Sequence, residues 1–160
     1  MVKVLFVCMG NICRSPVAHG LFQHLLDEEG LAEQVYVDSA GTHAYHIGEK
    51  PDPRSQETAR RRGIDISTQR ARKVCAEDFE EFDYVLAMDG DNYRILADLC
   101  PAGSEEKLSM FLEFGRDLGE TEVPDPYYGG PNGFEKVFDL VEAAAQGLLA
   151  DIQKRRSVGK

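Results

Sequence analysis

Residues 2–16 read VKVLFVCMGNICRSP, and this stretch decides the fold. The segment 2–7 is almost wholly apolar and rich in β-branched residues, which is typical of a strand buried on both faces in a parallel sheet. Gly10 lies in the turn that follows, and the pair Ser15-Pro16 predicts the start of a helix with Ser15 as its N-cap. The sequence therefore predicts a buried strand, a tight loop and a helix in direct succession.

The rest of the chain repeats this alternation of strands and helices. Further strands are predicted at 34–38, 84–88 and 107–111, and helices at 17–26, 54–62, 77–82, 91–99 and 134–153. Such an alternation indicates right-handed crossovers and an open parallel sheet with helices on both faces. Because no linker or internal repeat divides the chain, we expect a single α/β domain over 1–160, with its site at the carboxyl ends of the strands.

The composition argues against several classes of protein. The 160 residues are 42% hydrophobic and 29% charged, which is ordinary for a folded water-soluble chain. No apolar run approaches the roughly 20 residues that span a bilayer. The formal net charge of −10 argues against binding to nucleic acid or to an anionic membrane. The apolar N-terminus is too short for a signal peptide, so we expect a cytoplasmic protein.

One stretch departs from this acidic character. Residues 54–73 hold seven basic side chains against two acidic ones, which is a local net charge of +5. Two interpretations stay open for this stretch: a solvated helix face followed by a loop, or a docking patch for an anionic partner.

The cysteines indicate chemistry rather than a covalent scaffold. Cys8, Cys13, Cys75 and Cys100 are too few and too scattered for a disulfide framework, and they form no pattern of metal ligands with the four histidines. We therefore expect reduced thiols, no metal and no other cofactor. A reduced thiol inside the cell is a candidate nucleophile.

The segment 8–15 joins the first strand to a helix N-terminus, where backbone N–H groups can surround one point. The free N–H groups and the dipole of the helix add positive potential there. Gly10 permits a close approach of the backbone, and the planar guanidinium of Arg14 offers donors that match two phosphate oxygens. The expected ligand of this segment is therefore a phosphate-like anion.

Cys8 lies at the floor of this loop. The field that binds phosphate also favours a thiolate, which can attack phosphorus in line with the leaving oxygen. Ser15 could donate a hydrogen bond to the sulfur and help it leave in a second step. The alternative interpretation makes Cys8 a small buried apolar residue that closes the strand.

Phosphoryl transfer to sulfur also needs an acid for the leaving oxygen. The candidate acid is Asp125, which lies in the segment VPDPYY at 123–128. Two prolines hold that loop stiff, and Tyr127 and Tyr128 can form one wall of a pocket. The alternative is that the Asp-Pro pair only marks a turn.

Four motifs together resemble the low-molecular-weight protein tyrosine phosphatases, in a bacterial form. They are CMGNICRS at 8–15, SAGT at 39–42, MD at 88–89 and DPYYG at 125–129. The resemblance covers essentially the whole chain, in the family's order and size. It implies a four-stranded parallel sheet flanked by helices, a phosphate-binding loop after the first strand, and metal-independent hydrolysis of phosphotyrosine through a phosphocysteine intermediate.

The resemblance also implies individual roles. Cys8 is the expected nucleophile, Arg14 the phosphate clamp, and Asp125 the general acid that later activates water. Ser39 and Asp89 are expected to support the site, Ser39 through the loop asparagine, with a helix N-cap as the alternative role of Asp89. The residues expected to bind the phosphate and the substrate ring are Met9, Gly10, Asn11, Ile12, Cys13, Ser15, Tyr45, Tyr127 and Tyr128.

Some positions depart from the family pattern. Gln69 replaces a histidine that braces the loop asparagine in many members, which puts that bracing in doubt. Met9 replaces the usual leucine with a side chain of similar volume, and Pro124 replaces a residue that is often acidic in eukaryotic members.

The resemblance also implies a reversible disulfide. In relatives, the cysteines that correspond to Cys8 and Cys13 form a disulfide under oxidation. The alternative role of Cys13 is simple packing beneath the loop.

The expected partners are phosphotyrosine proteins, with a bacterial tyrosine kinase as one candidate, and inorganic phosphate as product and inhibitor. Two rival functions stay open. An arsenate reductase would share this fold but needs two further, closely spaced cysteines, and Cys75 and Cys100 lie 25 residues apart. A non-catalytic phosphotyrosine-binding module is favoured if Cys8 or Asp125 is lost, and both are present.

Overall fold

The structure is a computed structural model that describes residues 1–43, 45–115, 118–126 and 132–158, with the backbone alone for 156–158. Its strands are β1 (Val2–Cys8), β2 (Val35–Gly41), β3 (Tyr84–Ala87) and β4 (Leu108–Met110). Its helices are α1 (Arg14–Glu28), α2 (Pro53–Arg61), α3 (Asp78–Glu81), α4 (Gly90–Leu99) and α5 (Gly133–Val158), and 3-10 turns occupy Glu105–Lys107 and Phe111–Phe114. Every predicted element is confirmed, with ends that shift by at most five residues.

All four strands run parallel, in the order β2-β1-β3-β4. Val4 of β1 lies opposite Val37 of β2 on one side and opposite Tyr84 of β3 on the other. Because the chain first adds β2 to one side of β1 and later adds β3 to the other, a crevice opens between the carboxyl ends of β1 and β3. The predicted α/β class is confirmed, and the end of β1 lies where such sheets bind their ligands.

The central strand β1 is buried on both faces, as its sequence predicts. Val4 and Phe6 face one side of the sheet, Leu5 and Val7 face the other, and all four are 0% exposed. The ring of Phe6 packs edge-on against Phe22 of α1, with 5.9 Å between ring centroids. Burial of each such side chain contributes about 1.5–3 kcal/mol, so the strand that ends in Cys8 is firmly anchored.

Helices cover both faces of the sheet. α1 and α5 pack on the face that holds Val4 and Phe6, and Phe138 of α5 is fully buried there. α3 and α4 cover the opposite face through Phe79 and Leu96. Among the described residues, none of the helices combines the length and the apolar character that a membrane span requires.

The start of α1 differs from the prediction. The helix begins at Arg14, and its N-cap residue is Cys13, which makes no side-chain capping bond. The prediction that Ser15 caps this helix is wrong, because Ser15 lies in the first turn and its hydroxyl contacts the Sγ atom of Cys8 instead. Pro16 is tolerated in the first turn, since an N–H group there would have no partner within the helix.

The end of β2 also differs from the prediction. The sequence predicts a strand over 34–38 only, whereas 39–41 continue that strand and pair in register with residues 6–8 of β1. A Cβ atom added to Gly41 would lie 2.8 Å from the carbonyl oxygen of Met9, so any side chain there would collide with the loop after β1. The absence of a side chain at Gly41 therefore allows β2 to approach this loop closely.

The basic stretch 54–73 is largely neutralised by neighbouring carboxylates. Five of its seven basic residues form ion pairs: Arg54 with Asp52, Arg60 with Glu57, Arg61 with Glu57 and Glu135, Arg62 with Glu135 and Asp139, and Arg72 with Asp38 and Asp78. These pairs leave little unbalanced positive charge for an anionic partner. The structure favours a solvated helix face over a docking patch.

Candidate active site

A cavity of about 250 Å³ opens at the carboxyl end of β1. The fold brings Cys8 and Arg14, near the start of the chain, to Asp125, near its end. All lining residues except His46 are among the predicted site residues. The cavity is lined by Cys8, Met9, Gly10, Ile12, Cys13, Arg14, Tyr45, His46 and Asp125.

The other predicted site residues lie behind the cavity or outside the residues that the structure describes. Four of them support the lining from behind through hydrogen bonds, namely Asn11, Ser15, Ser39 and Asp89. Tyr127 and Tyr128, which the sequence predicts at the substrate ring, lie outside the described residues.

The loop between β1 and α1 turns three of its carbonyl groups outwards. These oxygens accept hydrogen bonds of 2.7–3.0 Å from backbone N–H groups beyond the loop: Cys8 from Thr42, Met9 from His43 and Ile12 from Asp52. In a trans peptide unit the N–H points opposite to the C=O, so the N–H groups of the following residues face the other way. The backbone is thus arranged to present donors to an anion, as the sequence predicts.

Asn11 holds this loop in an unusual conformation. Its φ of 58° lies in the left-handed region, and it is the only non-glycine residue of the described chain with a positive φ. The side-chain amide donates to the hydroxyls of Ser15 (2.8 Å) and Ser39 (3.0 Å), and the side-chain oxygen accepts from the backbone N–H of Arg72 (3.0 Å). These bonds offset the conformational cost of about 1–2 kcal/mol. The bond to Ser39 is the one that the resemblance implied.

Ser15 is oriented to donate a hydrogen bond to Cys8. Its Oγ atom lies 3.0 Å from the Sγ of Cys8 and 3.4 Å from the carbonyl oxygen of Ala40. Since Asn11 already donates to this oxygen, the hydroxyl proton is available for one of these two acceptors. The sulfur is the nearer one, and an ionised sulfur is also the stronger acceptor.

Arg14 is held from two sides. Its Nη1 atom donates to Oδ2 of Asp89 (2.6 Å) and to the carbonyl oxygen of Val123 (3.1 Å), and its Nη2 atom lies 3.9 Å from Oδ2 of Asp125. Burial by itself lowers the pKa of Arg14, but the negative groups around it, led by Cys8 and followed by Asp89 and Asp125, raise that pKa overall. The guanidinium therefore remains charged beside the cavity.

Asp89 has both of the roles considered for it. Its Oδ1 atom accepts from the backbone N–H of Asn92 (2.8 Å), which makes Asp89 the N-cap of α4, and its Oδ2 atom binds Arg14. The two roles are compatible because each uses its own carboxylate oxygen. A carboxylate at a helix N-terminus also interacts favourably with the helix dipole.

The loop that carries Asp125 is tied to the end of β3. The N–H of Val123 donates to the carbonyl oxygen of Met88 (2.7 Å), and the N–H of Gly90 donates to the carboxylate of Glu122 (2.5 Å). The side chain of Asp125 is 26% exposed and lines the cavity. This position suits an acid that exchanges protons with both a bound substrate and water.

The cysteines differ in their surroundings. Cys8 and Cys13 are buried, whereas Cys75 is exposed. Burial, assisted by the charge of Asp52, raises the pKa of Cys13 to about 12, so Cys13 is a neutral thiol near pH 7. In the described part of the chain, no group of three or more histidine, cysteine and acidic side chains could hold a metal ion.

The rim of the cavity is aromatic. Tyr45 is 70% exposed, and its ring stacks on that of His43 with 5.2 Å between centroids. His46 also lines the cavity, and its Nδ1 atom lies 2.6 Å from the carboxylate of Glu49. His46 is not among the predicted site residues. The only feature of the sequence that could have indicated it is its position next to Tyr45.

Gln69 does not reach Asn11. Its amide donates to the carbonyl oxygen of Pro16 in α1, at 3.0 Å. The backbone N–H of Arg72 binds the side-chain oxygen of Asn11 instead. No residue pattern signals this contact, because a backbone donor is present in almost every residue type.

Known proteins that are similar to this chain over nearly its whole length are phosphatases. The family model for the low molecular weight phosphotyrosine protein phosphatase matches residues 3–158. A putative low molecular weight protein-tyrosine-phosphatase of Synechocystis is 48% identical over 154 residues, which cover 96% of this chain and 98% of the relative. The low molecular weight protein-tyrosine-phosphatase YfkJ of Bacillus subtilis is 40% identical over 99% of this chain and 100% of the relative.

Solved structures give the same result. A protein tyrosine phosphatase from Entamoeba histolytica superimposes with a TM-score of 0.94 at 40% identity, over 98% of this chain and 99% of that chain. The crystal structure of YfkJ from Bacillus subtilis has a TM-score of 0.92 at 41% identity, over 97% of this chain and 96% of that chain. The chain therefore belongs to the low molecular weight protein tyrosine phosphatases, a family of hydrolases.

Proposed function

We propose that this chain hydrolyses phosphotyrosine in proteins through a phosphocysteine intermediate, with Cys8 as nucleophile, Arg14 as phosphate clamp and Asp125 as general acid and base. Family membership gives the class of reaction. The observation that carries the assignment of residues is the meeting of these three side chains at one cavity, at the end of the central strand.

In the first step, the thiolate of Cys8 attacks phosphorus, and the bond between phosphorus and the tyrosine oxygen breaks. Asp125 is protonated at this stage and donates its proton to the leaving oxygen. The N–H groups of the loop and the guanidinium of Arg14 stabilise the charge on the phosphate oxygens. The dephosphorylated protein leaves, and the phosphoryl group remains on the sulfur.

In the second step, the carboxylate of Asp125 accepts a proton from a water molecule that attacks phosphorus. The phosphorus–sulfur bond breaks, its electron pair returns to Cys8, and inorganic phosphate forms. Ser15, whose Oγ lies 3.0 Å from the sulfur, donates a hydrogen bond to the departing thiolate and keeps its proton. This hydrogen bond stabilises the leaving group and the resting enzyme alike.

The rim of the cavity supports an aromatic substrate. The exposed ring of Tyr45 can stack on a phenyl phosphate that enters the cavity. We propose phosphotyrosine proteins as substrates, with a bacterial tyrosine kinase as one candidate, and inorganic phosphate as product and competitive inhibitor. The reaction needs no metal, because Arg14 and the loop supply the positive potential.

Trapping of the intermediate tests this proposal. The wild-type protein, mixed with a ³²P-labelled phosphotyrosine peptide and quenched by denaturation, should carry the label on Cys8. The variant Cys8→Ser should carry none and should turn over less than about 1% as fast, because a serine hydroxyl is a far weaker nucleophile than a cysteine thiol. Cys75→Ser is the matched control, since Cys75 is exposed and does not line the cavity. Label on another residue, or full turnover by Cys8→Ser, would contradict the proposal.

A further inference from the structure

We propose that Arg72 is a positioning residue for the phosphate-binding loop and that it acts through Asn11. Arg72 does not line the cavity, but its backbone binds the residue that shapes the loop, and its side chain is fixed by two carboxylates. The inference rests on the proposed function, in which this loop binds phosphate.

The backbone of Arg72 connects the loop to the end of β2. Its N–H donates to Oδ1 of Asn11 (3.0 Å), and its carbonyl oxygen accepts from the N–H of Gly41 (2.8 Å). The N–H of Val74 donates in turn to the carbonyl oxygen of Gly41 (2.8 Å). The segment 72–74 thus runs beside Gly41, the residue that also makes the close approach to Met9 in the loop.

The side chain of Arg72 holds this segment in place. Its Nη1 and Nη2 atoms each donate to one oxygen of Asp78, both at 3.1 Å, and its Nε atom donates to Oδ2 of Asp38 at 3.0 Å. Asp78 is buried at the start of α3, with 5% of its side chain exposed. A guanidinium fork on a buried carboxylate is a strong and directional contact, which a lysine could not reproduce.

The charge of this contact does not depend on pH near neutrality. Burial by itself lowers the pKa of Arg72, but the hydrogen bonds and charges of Asp78 and Asp38 raise that pKa overall. The contact is therefore a permanent cross-link between β2, α3 and the segment that carries the N–H donor. It acts as a fixed support for the loop, not as a switch.

Asn11 links the Arg72 segment to the phosphate-binding loop. Its left-handed conformation is held by three hydrogen bonds, and Arg72 supplies the only one that its side-chain oxygen makes within the described chain. If the segment 72–74 shifts, that buried oxygen is left without its partner, which costs more than an exposed bond. Asn11 then relaxes, and the N–H groups of the loop no longer converge on one phosphate.

Phosphate affinity tests this inference on the full-length protein. The variant Arg72→Met should raise the dissociation constant for inorganic phosphate, measured by calorimetry, by about 5- to 30-fold, which matches the loss of one buried hydrogen bond. The KM for a phosphotyrosine peptide should rise with it. Arg72→Lys should recover part of the affinity, because an ammonium group can still reach one carboxylate. Should Arg72→Met fail to fold, Asp78→Asn weakens the same fork while it keeps the side-chain shape.

A second arginine provides the matched control. Arg62 is also partly buried and pairs with Glu135 and Asp139 on α5, away from the loop. Arg62→Met should lower the melting temperature but leave phosphate affinity within about twofold of wild type, a difference of roughly 0.4 kcal/mol. Equal effects of Arg62→Met and Arg72→Met on phosphate, or wild-type affinity in the folded Arg72 and Asp78 variants, would overturn the inference. If the wild-type protein neither binds phosphate nor hydrolyses phosphotyrosine, the proposed function itself is wrong.

Discussion

The Oδ2 atom of Asp125 lies 3.9 Å from the Nη2 atom of Arg14. The proposed acid and the proposed phosphate clamp are therefore neighbours before any substrate binds. In the proposed mechanism, a phosphate held by Arg14 would present its ester oxygen to the side of the cavity that Asp125 lines. The same contact aims the carboxyl group at the cavity, where the proposed proton transfer takes place.

Asp125→Asn should lower kcat by roughly 10²–10⁴, since the amide cannot donate a proton to the leaving oxygen. The loss should be larger for phenyl phosphate than for para-nitrophenyl phosphate, whose leaving group needs no proton. Steady-state rates on both substrates measure this difference. Asp65→Asn, in an exposed loop where the carboxylate accepts from Ser67, is the control that should change neither rate. An equal loss on both substrates would exclude Asp125 as the acid.

Tyr45→Ala should reduce the preference for aromatic substrates. Loss of one ring contact of about 0.5–1.5 kcal/mol corresponds to a roughly 2- to 12-fold fall in the kcat/KM ratio of phosphotyrosine to phosphoserine peptides. The exposed Tyr93 on α4 supplies the control variant Tyr93→Ala, which should leave the ratio unchanged. If the wild-type ratio is already near one, the rim does not select for aromatic rings.

Cys13 should protect Cys8 from irreversible oxidation. The pKa of Cys13, raised to about 12 mainly by burial, keeps it a thiol, so peroxide should first convert Cys8 to a sulfenic acid. The thiol of Cys13 then displaces water from that sulfenic acid and forms a disulfide. Peptide mass spectrometry should find this disulfide, and dithiothreitol should restore activity.

The variant Cys13→Ser tests this protection. Its inactivation by peroxide should become largely irreversible, because Cys8 then proceeds to sulfinic acid. Cys75→Ser, at an exposed cysteine, should recover as the wild type does. Full recovery of Cys13→Ser would show that Cys13 only packs beneath the loop.

His19 should make the protein less stable in mild acid. Burial is the main cause that lowers the pKa of His19 below its ordinary 6.5, and the charge of Asp38 and a hydrogen bond with Gln69 only partly oppose it. Below about pH 6.5 the unfolded chain takes up a proton that the folded state resists, so the free energy of unfolding falls as the pH falls through that window.

Urea unfolding at pH 7.5 and pH 5.5 measures this effect. His19→Gln should lose less stability between these two pH values than the wild type does, because it has no proton to take up. His24→Gln, at a more exposed histidine of the same helix, is the control for a histidine-to-glutamine substitution in this helix. An identical pH dependence in His19→Gln and wild type would rule out His19 as the cause.

Much of the fold could be predicted because its signals are local. Residues 2–7 form a nearly continuous apolar run, which is typical of a strand buried on both faces. The spacing of the apolar residues in 134–153 fits one face of a helix. The end of β2 and the N-cap of α1 could not be predicted this way. Both depend on contacts in the folded loop that a local pattern does not show: Met9 for Gly41, and Cys8 for the hydroxyl of Ser15.

The part of the candidate site that lies in the loop between β1 and α1 could be predicted from the sequence. Cys8 and Arg14 belong to a single strand-to-helix connection, so their spacing alone indicates an anion site. Asp125 is predicted as the acid because the chemistry needs one and because the family motif has an aspartate there, and the structure places it at the cavity. His46 and Arg72 were missed, since a lone loop histidine and a backbone donor leave no pattern in a sequence.

Cys8 is the last residue of β1, paired with Gly41 of β2. Backbone groups in the middle of a sheet exchange hydrogen with water only when the whole domain opens, whereas loops open at little cost. Hydrogen exchange should accordingly be slower at the backbone N–H of Cys8, in the central strand, than at the N–H of Asp125, which lies outside the strands and helices. Adaptation to cold or heat, which acts first on parts of the chain that open at little cost, should thus alter the acid's side of the cavity and leave the sulfur's side unchanged.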